Sequence, residues 1–263
     1  MDMKQAAVFF DIDGTLWDEQ GFIPESTREG IRRLRENGHL AFICTGRSRA
    51  FVQSEELLGL GFDGIVCGCG TMIEYQDQVL FYQKQEPELL KQMALLLREH
   101  QIPVIFEGRY HLYMDAAKSK DPYLDMVRSL MGEDLWYVED HLEDMEASKF
   151  SIILEGERYL QVLPEAEKYF TALNHGGICI EFVPKGYSKA TGIQKVCELL
   201  HIDHENTYAF GDSVNDVDML KYAAHGIVMG NGTDVAKAAG DYVTSDLYED
   251  GIYRGLEHFG LIL

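Results

Sequence analysis

Asp11 and Asp13 sit one residue apart at the end of an apolar run that begins at Val8, in the stretch VFFDIDGTLWDEQGF. Two unit charges about 4 Å apart repel by about 4 kcal/mol where the effective dielectric is near 20. A divalent cation reverses that sign, and it lets a carboxylate approach a phosphate dianion. Two carboxyls also allow a division of labour. One can attack phosphorus and become an aspartyl-phosphate. The other can protonate the leaving oxygen and later deprotonate the water that cleaves the intermediate. Gly14 permits a sharp turn that aims backbone N–H groups at phosphoryl oxygens.

The remaining candidates lie where other strands are expected to end. Thr45, Gly46 and Arg47 follow the run LAFIC, and Asp212, Ser213, Asn215 and Asp216 follow YAF. Lys189 opens the helix before that strand. In open parallel sheets ligands bind beyond the carboxyl ends of the strands, so all of these converge on one cleft. Carboxylates from two strand tips make a hard oxygen site suited to Mg²⁺. Thr45 would hydrogen-bond phosphoryl oxygens, and Lys189 would neutralise charge on them and on the nucleophile. A lysine in a first helical turn opposes the helix dipole, which favours a functional reason for it. For Arg47, an anion contact and a solvated ion pair stand even.

The elements that must position these residues show an interrupted alternation. A strand at Val8–Phe10, a helix over ESTREGIRRLRENG with Ser26 as N-cap, a strand LAFICTG, a helix RAFVQSEELLG and a strand DGIVCGCG make a βαβαβ series. The middle is mixed: helix EPELLKQMALLLREHQI, an antiparallel pair PVIFEG and RYHLYMD, helix DPYLDMVRSLM, strand KFSIIL, helix PEAEKYFTALN and strand ICIEFVP. Alternation resumes with helix SKATGIQKVCELLH, its Ile193, Val196, Leu199 and Leu200 facing inward, then strand TYAF, helix NDVDMLKYA, strand GIVMG and a short helix capped by Thr233. The expected fold is α/β: a Rossmann-like parallel-sheet core of residues 1–81 and 185–263, split by an α+β insert over 82–184.

Composition sets bounds. The chain of 263 residues is 46% hydrophobic and carries a formal charge of −21, which argues against a nucleic-acid or lipid-surface footprint. No long apolar segment predicts a membrane helix, and MDMKQAA lacks the apolar stretch of a signal peptide. Five cysteines without a C-x-x-C pair read as reduced thiols, and a cytoplasmic location is expected. Cys67 and Cys69 read as packing residues, HIDHEN as a loop, and the acidic stretch EDLWYVEDHLEDME as a solvated face.

With these residues in place, the chain resembles the haloacid dehalogenase superfamily of phosphotransferases, and within it the Cof-type phosphatases with a C2 (type IIB) cap. DIDGT, CTGR, KGYSKATGI and GDSVNDVDML match the four motifs in order. The resemblance implies Asp11 as nucleophile and Asp13 as acid/base, Thr45 and Lys189 as catalytic partners, and phosphate contacts from Thr45, Gly46, Arg47, Lys189 and Asn215. It implies a Mg²⁺ site from Asp11, the Asp13 backbone carbonyl and Asp212, with Asn215 and Asp216 close by. LWDEQGFI resembles the family's hairpin flap, turning near Gln20-Gly21. Cys69 stands where an asparagine is usual, a departure that bears on substrate. The expected function is a Mg²⁺-dependent phosphatase of a small phosphorylated metabolite, as monomer or homodimer, under a cap that excludes bulk water. A phosphomutase is the alternative. It would need anchors to hold a reorienting sugar, and Arg98, Arg109, Arg128 and Arg158 are scattered. A non-catalytic phosphometabolite sensor would have lost Asp11 or Asp13, and both are present.

Overall fold

A computed structural model describes residues 4–115, 121–174 and 177–262. The first residues of MDMKQAA lie outside this range. The chain divides into two compact units: residues 1–46, 53–81 and 187–263, and residues 47–52 with 82–186.

The first unit opens with β1 (Ala7–Phe10), whose four residues are all buried. Helix α1 (Glu25–Glu36) follows, then β2 (Leu40–Cys44), the four-residue helix α2 (Glu55–Leu58), β3 (Gly64–Cys67), β4 (Met72–Tyr75) and β5 (Gln78–Tyr82). β1 pairs in parallel with β2, and β2 with β3. Strands buried on both faces read as unbroken apolar runs, which is why AVFF and LAFIC lack alternation. Phe9 stacks on Phe42 at 5.2 Å between ring centres, locking neighbouring strands together.

The second unit contains α3 (Pro87–Glu99), β6 (Val104–Glu107), β7 (Leu112–Met114), α4 (Pro122–Met131), β8 (Leu135–Tyr137), β9 (Lys149–Ile153), α5 (Leu163–Ala166), β10 (Phe170–Leu173) and β11 (Cys179–Pro184). Its strands order as β10-β11-β9-β6-β7-β8, antiparallel except for β7 beside β8. Side chains alternate across this sheet. Phe106, Phe150 and Phe182 join Leu90, Met93 and Leu97 of α3 on one face. Ile105, Leu112 and Ile153 meet Leu124 and Val127 of α4 on the other.

The chain then returns to the first unit with α6 (Lys189–Leu200), β12 (Thr207–Gly211), α7 (Val217–Tyr222), β13 (His225–Val228), α8 (Asp234–Lys237), β14 (Tyr242–Val243) and α9 (Gly251–His258). The full order of the larger sheet is β14-β13-β12-β1-β2-β3-β4-β5, parallel from β14 through β3. β1 and β12 are therefore neighbours although their starts lie 200 positions apart in the chain, from Ala7 paired with Thr207 to Phe10 paired with Phe210.

Several local expectations need correction. PEAEKYFTALN does not run on as a helix: α5 stops at Ala166, and Phe170–Leu173 pairs with β11. Tertiary pairing and the burial of Phe170 override helix propensity there. RAFVQSEELLG splits into a 3-10 turn at Arg49–Phe51 and α2, because Ser54 caps the latter by accepting from the Leu57 N–H at 3.3 Å. α1 begins at Glu25 after Pro24, so Ser26 is inside the helix rather than its cap. Leu199 on α6 is exposed. The β4–β5 hairpin and α9 carried no expectation. The hairpin turns at Gln76 and Asp77, both with positive φ, as a two-residue hairpin loop requires.

Candidate active site

Four loops of the first unit bring the chemistry together. Asp11 follows β1 directly, and its N–H donates to the Phe210 carbonyl at 3.0 Å, carrying the β1–β12 pairing one step past the strand end. Asp11 is 3% exposed. Lys189 is the first residue of α6, fixed there by a capping box. Ser188 Oγ accepts from the Thr191 N–H, and the Ser188 N–H donates to Thr191 Oγ. From that position the lysine Nζ donates to Asp11 Oδ1 and to Asp216 Oδ1, each at 2.6 Å. The second oxygen of Asp216 accepts from the backbone N–H groups of Asp212 and Ser213 at 2.9 and 3.0 Å. Asp216 is fully buried, and both its oxygens are engaged in positioning. It ties the loop after β12 to the lysine.

One oxygen from each of Asp11, Asp212 and Asp216 falls within 4.8 Å of the others. Burial first, then the nearby Asp216, pushes the Asp11 carboxyl up to about 8, against the pull of Lys189. Burial and Asp216 likewise lift Asp212 to about 6, opposed by the Thr15 hydroxyl, which donates to Asp212 Oδ1 at 2.8 Å. Burial alone would lower Lys189, but the two carboxylates hold it well above its ordinary value. A cluster with more carboxylates than cations, partly desolvated and rich in hard oxygen donors, has the composition a Mg²⁺ site needs.

Glycine is required beside this cluster. A Cβ on Gly14 would lie 2.5 Å from Asp212 Oδ2, and its φ of +80° is one that side chains disfavour. The Asn231 amide donates to the Gly14 carbonyl at 2.8 Å and accepts from the Leu247 N–H at 3.0 Å, pinning the turn from outside.

Not every expected residue joins the cluster. The Asp13 carboxylate is exposed and accepts from the Trp17 indole N–H at 2.9 Å. Asn215 Oδ1 accepts from the Ser213 hydroxyl. Thr45 is 2% exposed at the tip of β2; its N–H donates to the Val66 carbonyl at 2.9 Å and its carbonyl accepts from the Cys69 N–H at 3.1 Å. Gly46 ends this stretch of the first unit, whereas Arg47 groups with the second. Thr15, Trp17 and Asn231 were not singled out from the sequence. Thr15 lies inside DIDGT, and Asn231 sits between two glycines just past a strand. Such a placement marks a turn and gives no sign of its partner.

The sequence profile of the haloacid dehalogenase-like hydrolases matches residues 8–256. The chain belongs to that family. Among its relatives is the provisionally named phosphatase YkrA of Bacillus subtilis (strain 168), 33% identical over 270 residues that cover 99% of this chain and 100% of that protein. The 5-amino-6-(5-phospho-D-ribitylamino)uracil phosphatase YitU of the same organism is 29% identical, covering 99% and 100%. A solved haloacid dehalogenase (HAD) subclass IIB sugar phosphatase superposes with a TM-score of 0.82 at 29% identity, covering 98% of this chain and 100% of that one. This haloacid dehalogenase-like hydrolase is a phosphatase, an enzyme of the phosphoric monoester hydrolase class. Its α/β core with an inserted α+β unit shares the fold of that solved phosphatase. Among the described residues no helix is long and apolar enough to cross a membrane.

Proposed function

We propose that the protein hydrolyses a small phosphorylated metabolite, a sugar phosphate or similar phosphomonoester, through an aspartyl-phosphate on Asp11 with Mg²⁺ as cofactor. The observation that carries this reading is the convergence of Asp11, Lys189, Asp212 and Asp216 at the carboxyl ends of β1 and β12.

Asp11, the Asp13 backbone carbonyl and Asp212 would hold the ion, with Asn215 and Asp216 supporting them. When bound, Mg²⁺ supplies positive charge that lets the Asp11 carboxylate and a phosphate dianion share one site. Asp11 attacks phosphorus. Asp13 gives a proton to the leaving oxygen and then takes one from the attacking water. Lys189 holds Asp11 in place and offsets charge as it builds on the phosphoryl group, and Thr45 with Gly46 donates to the phosphoryl oxygens. The names of the relatives support the class of substrate: one acts on a phosphoribityl-amino uracil, another on sugar phosphates.

The test is release of inorganic phosphate from p-nitrophenyl phosphate and a panel of phosphorylated sugars. EDTA should silence the enzyme, and added Mg²⁺ should restore it. Asp11→Asn should lose activity while keeping its circular dichroism. Turnover retained in that variant would remove Asp11 as nucleophile, and indifference to EDTA would remove the metal.

A further inference from the structure

We propose that Trp17 is the positioning residue of the acid/base carboxyl, and that it selects which oxygen of Asp13 carries the transferred proton. This rests on the reading of Asp13 as acid/base given above.

The Trp17 indole N–H lies 2.9 Å from Asp13 Oδ1. An indole nitrogen can only donate. Oδ1 is thereby held as an acceptor, and a proton on this carboxyl resides on Oδ2. The backbone that carries the ring is itself well anchored. Asp13 and Trp17 form a β-bridge, the Gly14 N–H donates to the Trp17 carbonyl at 2.9 Å, and the Trp17 N–H donates to the Ile12 carbonyl at 3.2 Å. Leu16 beside it is fully buried. The five residues from Ile12 to Leu16, with Trp17 closing on them, thus make a tight loop whose last member returns to fix the side chain of its second. The indole N–H restricts the rotation of this exposed carboxylate about χ2, whose wells are broad. A general acid works only when its proton lies within hydrogen-bond reach of the leaving oxygen, so fixing that rotation contributes to the rate.

In the first step the Asp11 carboxylate forms a bond to phosphorus, the bond from phosphorus to the leaving oxygen breaks, and the proton on Asp13 Oδ2 passes to that oxygen to give the free alcohol. In the second, water attacks phosphorus and gives its proton back to Asp13 Oδ2. The bond from phosphorus to Asp11 then breaks, releasing inorganic phosphate. Trp17 keeps its own proton throughout.

Protonation of the leaving oxygen matters most when that oxygen is basic. The experiment is therefore kcat/KM for a series of aryl phosphates graded by leaving-group basicity, in the wild type and Trp17→Phe. The variant should lose about tenfold on phenyl phosphate, a small part of the roughly 10²–10⁴ that a general acid supplies. On p-nitrophenyl phosphate it should lose no more than about twofold, because that leaving group needs little help. In an Asp13→Asn background, Trp17→Phe should have no further effect. An even loss across the series, no loss at all, or an equal loss in the Asp13→Asn background would overturn the proposal. Should the phenylalanine variant fail to fold, β-(3-benzothienyl)alanine at position 17 decides instead, since sulfur replaces the N–H within the same ring outline. Full turnover of phenyl phosphate by Asp13→Asn would remove the acid/base reading itself, an outcome distinct from any failure of Trp17.

Discussion

Replacing Lys189 with methionine keeps the length of the side chain and removes its charge. In the native structure Nζ lies 2.6 Å from each of two carboxylates, and all three groups are almost wholly buried. Each contact is worth about 6 kcal/mol gross at an effective dielectric near 20. Most of that offsets the cost of removing the charges from water, and breaking a buried pair by deleting one partner costs about 3–5 kcal/mol net. Without a divalent ion at pH 7, Asp11 can take up a proton, because burial and Asp216 hold it up to about 8. Asp216 cannot turn away, because its Oδ2 accepts from the backbone N–H groups of Asp212 and Ser213. The loss in Lys189→Met is therefore expected to fall chiefly on Asp216. Urea unfolding in EDTA, followed by circular dichroism, should show about 3–5 kcal/mol lost, with Tm lower by about 6–20 °C. The double variant Lys189→Met/Asp216→Asn should be at least as stable as Lys189→Met alone, since the stranded charge is gone. Phosphatase activity should vanish in both. A double variant that loses the sum of the two single losses would refute the assignment of the lysine's stabilising role to Asp216.

Gly14→Ala should lower activity at least tenfold without unfolding the protein, because a Cβ there meets Asp212 at 2.5 Å; a titration with Mg²⁺ should show weakened binding. Cys69 adopts φ +54° between Gly68 and Gly70, at +56° and +82°, so three consecutive residues are left-handed. Cys69→Gly should be stabilising by about 1 kcal/mol, whereas Cys69→Val should cost more than that and reduce turnover through the bond to Thr45, measured by thermal melts and kinetics. His39 is buried, its Nδ1 accepts from the Ala6 N–H at 3.1 Å, and burial lowers its pKa. The unfolded chain then binds a proton that the folded one does not, so this residue's contribution is complete above about pH 6.5 and is lost as pH falls below it. His39→Gln should flatten that part of the stability profile.

The sequence by itself determined the kind of site and most of the larger sheet. Unbroken apolar strands ending in Asp, Thr or Gly-Asp announce a parallel sheet with polar tips, because both faces of such strands are covered and only their ends meet solvent. Asp11, Lys189, Asp212 and Asp216 were all legible, since each sits at a predictable element end. What the sequence left open is which of them touch. Nothing in the local pattern says that Lys189 bridges Asp11 and Asp216, or that Asp216 spends its second oxygen on backbone amides, because those contacts join residues 178 and 27 positions apart. Phe170–Leu173 became a strand only because β11 offered it a partner, and Arg47 grouped with the second unit although its motif ends on the first. Trp17 drew no reading of its own within LWDEQGFI, and its indole acquired a role only when the turn at Gly14 folded it back onto Asp13. Residue type and spacing fix which chemistry is available. The pairing of distant strands decides which atoms can carry it out, because hydrogen bonds and ion pairs act over a few ångströms and the chain order does not encode those distances.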